Sequence, residues 1–252
     1  MTLRMLFALL LALPVSVEAQ DGPTQRTYTL RVSVDTQGQV TAVEPQEEIQ
    51  PFLLATVTAA ANAASFEPAT VNGVAKPSRT SMNVIISMTP KGPNLEVKVI
   101  EVTAGGGTIH SVPPRFPPGA HRDGYSAYVW SRISYDGRGR VDTAKSGVAS
   151  VQFTRGPGRR VDPRRSAELD RILRKQVDET AAKWTFTPDE VDGQPIPATV
   201  FVPTTFCVVK RGNSCNDLWT DAMRMPPATP LALDATVRLA MLRPQALSAN
   251  DG

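Results

Sequence analysis

The chain has 252 residues, of which 41% are hydrophobic, 20% are charged and only 6% are aromatic. The 27 Lys and Arg residues nearly balance the 24 Asp and Glu residues, which does not favour a protein that binds nucleic acid over its whole surface. Two His and two Cys are too few for a multi-ligand zinc or iron–sulfur site, and no apolar run reaches the ~20 residues of a membrane-spanning helix. We therefore expect no nucleic-acid partner, no metal, no cofactor and no polytopic membrane protein.

The first 19 residues have the pattern of a signal peptide. Arg4 supplies the positive charge, residues 5–13 (MLFALLLAL) form a short apolar core, and the small-residue pattern at 17–19 predicts cleavage before Gln20. No Cys stands directly after the apolar core, so a lipid anchor is not indicated. An uncleaved anchor helix is the alternative, which we disfavour because the core is short for a membrane span. This pattern predicts an exported, soluble protein of the periplasm.

Two stretches of the chain resemble each other in residue type and spacing. At an offset of 101 residues, the matching residues are Asp35, Gly38 and Val40 with Asp136, Gly139 and Val141. At an offset of 120 residues, they are Phe66, Pro68, Gly73 and Pro77 with Phe186, Pro188, Gly193 and Pro197. The second stretch is therefore 19 residues longer, and we place the extra residues in a loop around 147–165. Two copies are too few for a solenoid, which favours tandem small domains.

Each copy is predicted to follow the order β-β-α-β. A strand with alternating apolar residues leads through an Asp-x-x-Gly turn to a second strand, which begins at Val40 or Val141. A helix is predicted over about 51–64 in the first copy and 166–183 in the second, with Ser166 as its N-terminal cap. A final strand closes each copy. The predicted fold class is α+β, with two tandem small domains that each pack one helix on one face of an antiparallel sheet.

The final strands are predicted at 80–88 and 198–206, and they set the domain boundaries. Between the copies, Leu95 to Val102 alternates like a strand, which either extends the first sheet or bridges the two sheets. The predicted segments are a signal peptide (1–19), a first domain (20–90), a linker with this extra strand (91–111), a second domain (112–210), and the end of a disulfide loop with a C-terminal tail (211–252).

Cys207 and Cys215 are predicted to form a disulfide bond. An oxidising compartment favours a disulfide, and Gly212-Asn213 between the two cysteines is a turn signal. A catalytic thiol is the alternative, which we disfavour because neither His lies near these residues in the sequence. No Gly-x-Ser-x-Gly, His-Glu-x-x-His or phosphate-binding glycine loop is present, so we do not expect an enzyme.

The second copy carries three motifs in a fixed order. They are an aromatic-Pro-x-x-Ala opening at 116–120, an Asp-x-x-Gly-x-Val hairpin at 136–141, and a Trp-x-Phe-x-Pro closure at 184–188. Together, over about 112–208, they resemble the TonB C-terminal domain. The first copy is a reduced version, which lacks the aromatic-Pro opening and has Ala64 in place of the Trp.

This resemblance implies a fold and a mode of binding. The family's energy transducers span the inner membrane with one helix, cross the periplasm on a long Pro-rich linker, and grip the TonB box of outer-membrane receptors. The box pairs as an extended strand with the last strand of the domain. We expect a signal peptide in place of the anchor, and the sequence lacks the long Pro-rich spacer, so the resemblance implies the fold more strongly than the energy-coupling role.

The last strand of the second copy is predicted to bind a partner by β-augmentation, in which an extended segment satisfies the exposed main-chain groups of a sheet edge. Pro203 fits an edge position because proline cannot donate a ladder hydrogen bond. The partner is predicted to be an envelope protein or an extended peptide segment, with outer-membrane receptors as one candidate. The alternative is an edge covered by 95–102 or by the tail. The predicted partner-binding residues are Ala198, Val200, Val202, Thr204 and Phe206.

A cluster of five arginines among glycines and prolines leaves two interpretations. The cluster either contacts anionic cell-wall or lipid groups, or is simply a solvated insertion, which we favour. A wall-associated factor is therefore a third functional hypothesis, after a peptide-binding module and a component of TonB-dependent transport. The residues of the cluster are Arg155, Arg159, Arg160, Arg164 and Arg165.

Overall fold

The computed structural model describes residues 23–105, 107–155, 159–208 and 237–243. Strands are the main secondary structure and helices are few, which is compatible with the predicted α+β class. The predicted signal peptide, Cys215 and most of the predicted C-terminal tail lie outside the described residues, so the predicted cleavage site and disulfide bond stay predictions.

The N-terminal part of the chain forms an antiparallel sheet and one helix. Its elements are β1 (Thr24–Val34), β2 (Val40–Pro45), α1 (Pro51–Ala63), β3 (Phe66–Glu67), β4 (Ala69–Val71), β5 (Val74–Lys76), β6 (Ser78–Lys91), β7 (Asn94–Ala104) and β8 (Thr108–His110). In the sheet, β1 lies between β2 and β6, and β7 pairs with the other side of β6. The strand predicted at 95–102 therefore extends the first sheet.

Helix α1 covers one face of this sheet because both elements present an apolar face. In β1, Tyr28, Leu30 and Val32 alternate with more polar residues and are fully buried. Helix α1 begins with a proline, which suits the first turn, and it buries Leu53 and Val57 one turn apart. These side chains belong to one apolar cluster, so the helix is held to the sheet by hydrophobic burial.

The C-terminal part repeats the arrangement of a sheet and a covering helix. Its elements are α2 (Pro118–Arg122), β9 (Ser126–Tyr135), β10 (Gly147–Thr154), α3 (Pro163–Ala181), β11 (Thr185–Thr187), β12 (Glu190–Val191), β13 (Gln194–Pro195), β14 (Ala198–Phe206), β15 (Val237–Arg238) and β16 (Met241–Leu242). The second sheet has the order β10-β9-β14 and is antiparallel. The predicted bounds of the last strand, 198–206, are confirmed.

Helix α3 packs on the second sheet through residues spaced four apart. Leu169, Leu173 and Val177 are buried along one side of the helix. Phe116 of the aromatic-Pro opening stacks on Phe206 at the end of β14, with ring centroids 4.9 Å apart. The opening motif therefore packs against the end of the candidate partner-binding strand.

The two sheets share one register. Tyr28 lies opposite Val84 in the β1–β6 pair, and Val129 lies opposite Thr204 in the β9–β14 pair. Val129 lies 101 positions after Tyr28, and Thr204 lies 120 positions after Val84, which are the offsets found in the sequence. Residues at these offsets can therefore be compared as structural equivalents.

Short strands that follow α1 and α3 pair with strands from the other part of the chain. β12 pairs with the start of β6, where Glu190 lies opposite Arg79. β8 pairs with β11, while β15 and β16 pair with β4 and β3. Each part thus supplies strands that pair with the other part, and the first sheet gains β12 and β13 as members.

Three sequence predictions about the second copy are wrong in detail. The second strand does not begin at Val141, which forms only an isolated bridge to Tyr135, because a further turn over Asp142–Lys145 delays the strand to β10. The 19 extra residues are not one loop at 147–165, since that range contains β10 and the start of α3. Ser166 is not the helix cap: Asp162 accepts the main-chain N–H groups of two arginines in the first turn.

A close main-chain contact gives the first testable prediction. Gly139 and Gly193 both have φ of +74°, but a Cβ on Gly139 would lie 1.8 Å from the Phe186 carbonyl oxygen, whereas a Cβ on Gly193 would contact nothing within 4 Å. Gly193→Ala is expected to lower the free energy of unfolding by about 1 kcal/mol through backbone strain. Gly139→Ala is expected to cost at least about 2 kcal/mol more, because the chain must also move apart.

Urea unfolding of both variants measures this difference directly. Equal losses in the two variants would show that the contact between the Asp136–Gly139 turn and Phe186 is not tight in solution.

Candidate functional site

The candidate site is the outer edge of β14, the side that faces away from β9. In the part of the chain that the structure describes, β14 pairs with β9 and with no other strand. The equivalent side of β6 is filled by β12 at Ser78–Arg79 and by β7 from Met82 onward. The two sheets therefore differ at the strand that the sequence singled out.

Hydrogen bonds of β6 identify the residues whose main chain faces outward. The Ser81 carbonyl accepts the Gly105 N–H at 2.9 Å, and the Ser81 N–H donates to Asp189 at 3.3 Å, both on the side away from β1. Phe201 is the equivalent of Ser81 by register. Because a residue in an antiparallel strand turns its N–H and C=O to the same side, alternate residues of β14 face outward. These residues are Thr199, Phe201, Pro203 and Thr205.

The structure places all five predicted partner-binding residues on β14, with their main-chain groups on the side of β9. Ala198, Val200, Val202, Thr204 and Phe206 alternate with the outward-facing residues. Pro203 is among the outward-facing residues, so its missing N–H removes no hydrogen bond to β9. A partner strand would therefore bond the main chain of Thr199, Phe201 and Thr205.

The outer edge of β14 differs from the edge strand β7 in its lack of charge. No residue of β14 is charged, whereas β7 carries Glu96, Lys98 and Glu101. Charged residues on an edge strand discourage pairing with another chain. At the edge strand β10, two side chains of α3 form hydrogen bonds with the main chain of Val148. Asp178 accepts the Val148 N–H at 2.9 Å, and Arg174 donates to the Val148 carbonyl at 2.8 Å. These features leave β14 as the edge best suited to β-augmentation.

A cavity of about 550 Å³ lies at the beginning of this edge. A cavity at the equivalent residues of the first sheet has only about 250 Å³, and Glu190 and Gly193 of the β12–β13 hairpin line it. The larger cavity is lined by Ser134, Tyr135, Asp136, Asp142, Lys145, Ile196, Pro197, Ala198, Thr199 and Val237. The β12–β13 hairpin thus fills part of the cavity beside the first sheet. No described residue fills the corresponding part of the cavity beside the second sheet.

The two acidic residues of the larger cavity are already paired with cations. Asp136 accepts main-chain and side-chain hydrogen bonds from Arg140, which hold its pKa below the usual range. Asp142 lies 3.2 Å from the Lys145 ammonium, and this hydrogen bond lowers the pKa of Asp142. Both carboxylates are therefore ionised at neutral pH and locally neutralised.

Aromatic side chains occupy the sheet face opposite α3, beside the outer edge of β14. The rings of Tyr128 and Trp130 have centroids 5.7 Å apart, and Phe201 meets Trp130 edge-on at 6.5 Å. Tyr128 and Trp130 are buried, while Phe201 is partly exposed. The sequence left the face of Trp130 undecided, and the structure places it away from the α3 side.

A buried ionic cluster joins the two parts of the chain, and no sequence motif predicts it. The Arg31 side chain of β1 is 3% exposed and lies 3.6 Å from the Asp189 carboxylate and 3.3 Å from the Glu190 carboxylate. It also donates to the Pro188 carbonyl. Asp189 in turn accepts the Ser81 N–H of β6. These contacts fix β12 across the first sheet.

Tyr135 at the end of β9 belongs to the same buried region. Burial raises the pKa of the Tyr135 phenol well above its ordinary value, the Asp189 carboxylate raises it further, and Arg31 lowers it. Its ring stacks on Phe186 with centroids 4.4 Å apart. The phenol therefore stays neutral near the ion pair throughout the physiological pH range.

The predicted arginine cluster is divided by its contacts. Arg165 binds Asp123 at 2.7 Å and Glu168 at 2.7 Å, and these bonds raise its pKa. Arg155 lies over the Tyr125 ring at 4.8 Å and donates to the Asp123 carbonyl. These two side chains hold the opening of the second copy to its helix. The exposed members are Arg159, Arg160 and Arg164.

None of the helices in the described ranges is both long and apolar enough to cross a membrane. No group of three or more His, Cys, Asp or Glu residues in those ranges is arranged to hold a metal ion. Comparisons with protein-family models, with curated proteins and with solved structures found no match to this chain.

The buried ion pair gives the second testable prediction. Arg31→Met is expected to lower the free energy of unfolding by about 3–5 kcal/mol, because it removes the cation beside the buried Asp189 carboxylate. Asp189→Asn is expected to cost less, because Arg31 keeps the Glu190 carboxylate at 3.3 Å. The double variant is expected to lose clearly less than the sum of the two single losses.

The matched control is Arg79→Met, which breaks the exposed Arg79–Glu44 pair and is expected to cost less than about 1 kcal/mol. Urea unfolding of the four variants tests the account. Additive losses in the double variant would mean that Arg31 and Asp189 do not interact in solution.

Proposed function

We propose that this chain is an exported periplasmic protein with two tandem β-β-α-β domains of the TonB C-terminal type. We further propose that it binds an extended segment of an envelope protein by β-augmentation at β14. The shared register of the β1–β6 and β9–β14 pairs supports the tandem arrangement. The sequence motifs at 116–120, 136–141 and 184–188 support the resemblance to that family.

One observation carries the binding proposal: the outer edge of β14 has no strand partner among the described residues, while the equivalent side of β6 has two. Each outward-facing residue of β14 offers main-chain groups that an extended segment can bond. Because β14 contains no charged residue, a segment bound there would bury no charge of this strand. Main-chain bonds would supply affinity, and the side chains beside Phe201 would set the register.

The arginine cluster gives less support to a wall-associated factor. Arg155 and Arg165 are engaged within the second copy, so only part of the predicted cluster remains for an anionic polymer. Binding to an extended protein segment is therefore the function that these contacts favour.

A proline substitution at the outer edge tests the proposal. Thr205 is exposed and its N–H faces outward, so Thr205→Pro removes a donor to the partner without removing a bond to β9. Crosslinking in cells, from a photoreactive residue placed at Pro203, is expected to yield an envelope protein. We expect Thr205→Pro to lower the crosslink yield about tenfold, and the matched control Thr205→Ala to keep it.

Thr204→Pro serves as the opposite control, because the Thr204 N–H faces β9. It is expected to lower the free energy of unfolding by about 1–3 kcal/mol, whereas Thr205→Pro should change it little. A folded Thr205→Pro variant that crosslinks as well as the wild type would contradict β-augmentation at this edge.

A further inference from the structure

The β12 segment shows how a short strand can sit on the edge of the first sheet. Glu190 lies opposite Arg79 and Val191 lies opposite Ser78, in an antiparallel pair. The Val191 side chain is buried. Asp189 and Glu190, which precede it, contact the Arg31 guanidinium. The segment therefore places two consecutive acids and one apolar residue along this edge.

Arg132 holds the position of Arg31 in the second sheet. Arg31 lies opposite Ser81, and Arg132 lies opposite Phe201, the equivalent residue of β14. The two arginines differ in surroundings, because Arg31 is buried and Arg132 is exposed. Within the described ranges, the Arg132 guanidinium has no ion pair and no hydrogen bond. A cation thus stands beside a strand edge that no described strand pairs with.

The cavity at Ala198 and Thr199 occupies the place that corresponds to the β12 position. Its volume of about 550 Å³ is enough for the side chain of an apolar residue placed opposite Ala198, as Val191 is placed opposite Ser78. Asp136 and Asp142 also line this cavity, and each is paired with a neighbouring cation, as described above. The exposed cation nearest to Phe201 along β9 is Arg132, so charge complementarity favours a carboxylate at that point.

We infer that the segment bound at β14 is acidic, with two consecutive carboxylate side chains followed by an apolar residue. The apolar side chain enters the cavity beside Ala198, and the carboxylates pair with Arg132. The segment runs antiparallel to β14, as β12 runs to β6. This inference rests on the proposed function, since it specifies the chemistry of the partner at the same edge.

A synthetic peptide with the sequence of residues 186–192, Phe-Thr-Pro-Asp-Glu-Val-Asp with blocked ends, is a direct probe. Its control replaces the consecutive Asp-Glu by Asn-Gln. Isothermal titration of the mature chain is expected to show about tenfold tighter binding of the acidic peptide, as for one charge-assisted pair. Arg132→Gln is expected to remove that preference and to leave the affinity for the control peptide unchanged.

The outcomes separate this inference from the proposed function. Equal binding of the two peptides to the wild type, lost in Thr199→Pro, would uphold β-augmentation and overturn the acidic preference, because the peptide in the β12 register lies opposite Thr199. A preference that persists in Arg132→Gln would also overturn it. Absence of binding by both peptides would overturn the inferred motif, while crosslinking at Pro203 reports on the edge itself. Dimerisation of the mature chain through β14, seen by sedimentation, would assign the edge to a second copy and reject the acidic peptide.

Discussion

The guanidinium of Arg31 is buried against two carboxylates and a carbonyl that belong to residues 188–190, about 160 positions later in the sequence. A buried charge is tolerated only when its partners stay in place, so this contact constrains the position of β12 on the first sheet. Once β12 lies there, it fills part of the outer side of β6 and completes that edge together with β7. The Arg31 contact therefore accounts for the part of the outer side of β6 that β12 fills, and β7 fills the rest through its own pairing with β6.

The second sheet has the same register as the first, but different residues stand at the positions of the ion pair. Arg132 replaces Arg31, and Ala69 stands at the position equivalent to Asp189, so the matching ion pair cannot form there. The C-terminal strand β15 pairs with β4, the counterpart of β12, and Val237 at its start lines the cavity beside β14. The difference at these two equivalent positions goes with one edge that β12 and β7 cover and one edge that has no strand partner among the described residues.

Local patterns predicted much of the fold and only part of the site. Alternation and turn residues predicted both ends of β14 correctly. Two prolines precede the strand and a buried aromatic residue ends it, which leaves few alternative bounds. The start of β10 was missed because a second Asp turn follows the first. The Arg31 cluster could not be found from spacing, since Arg31 and Asp189 are distant in sequence and each resembles an ordinary surface charge. Which residues of β14 face outward became evident only from the hydrogen bonds of β6.

Hydrogen exchange of individual main-chain amides, followed by NMR, tests the central claim that the outer side of β14 lacks a strand partner. The N–H groups of Phe201 and Thr205 are expected to exchange rapidly, while those of Val202 and Thr204, bonded to β9, are protected. The equivalent outward-facing amide of Ser81 should be protected by its bond to Asp189. Strong protection of Phe201 and Thr205 in the isolated chain would contradict the account, because this edge would then already be paired.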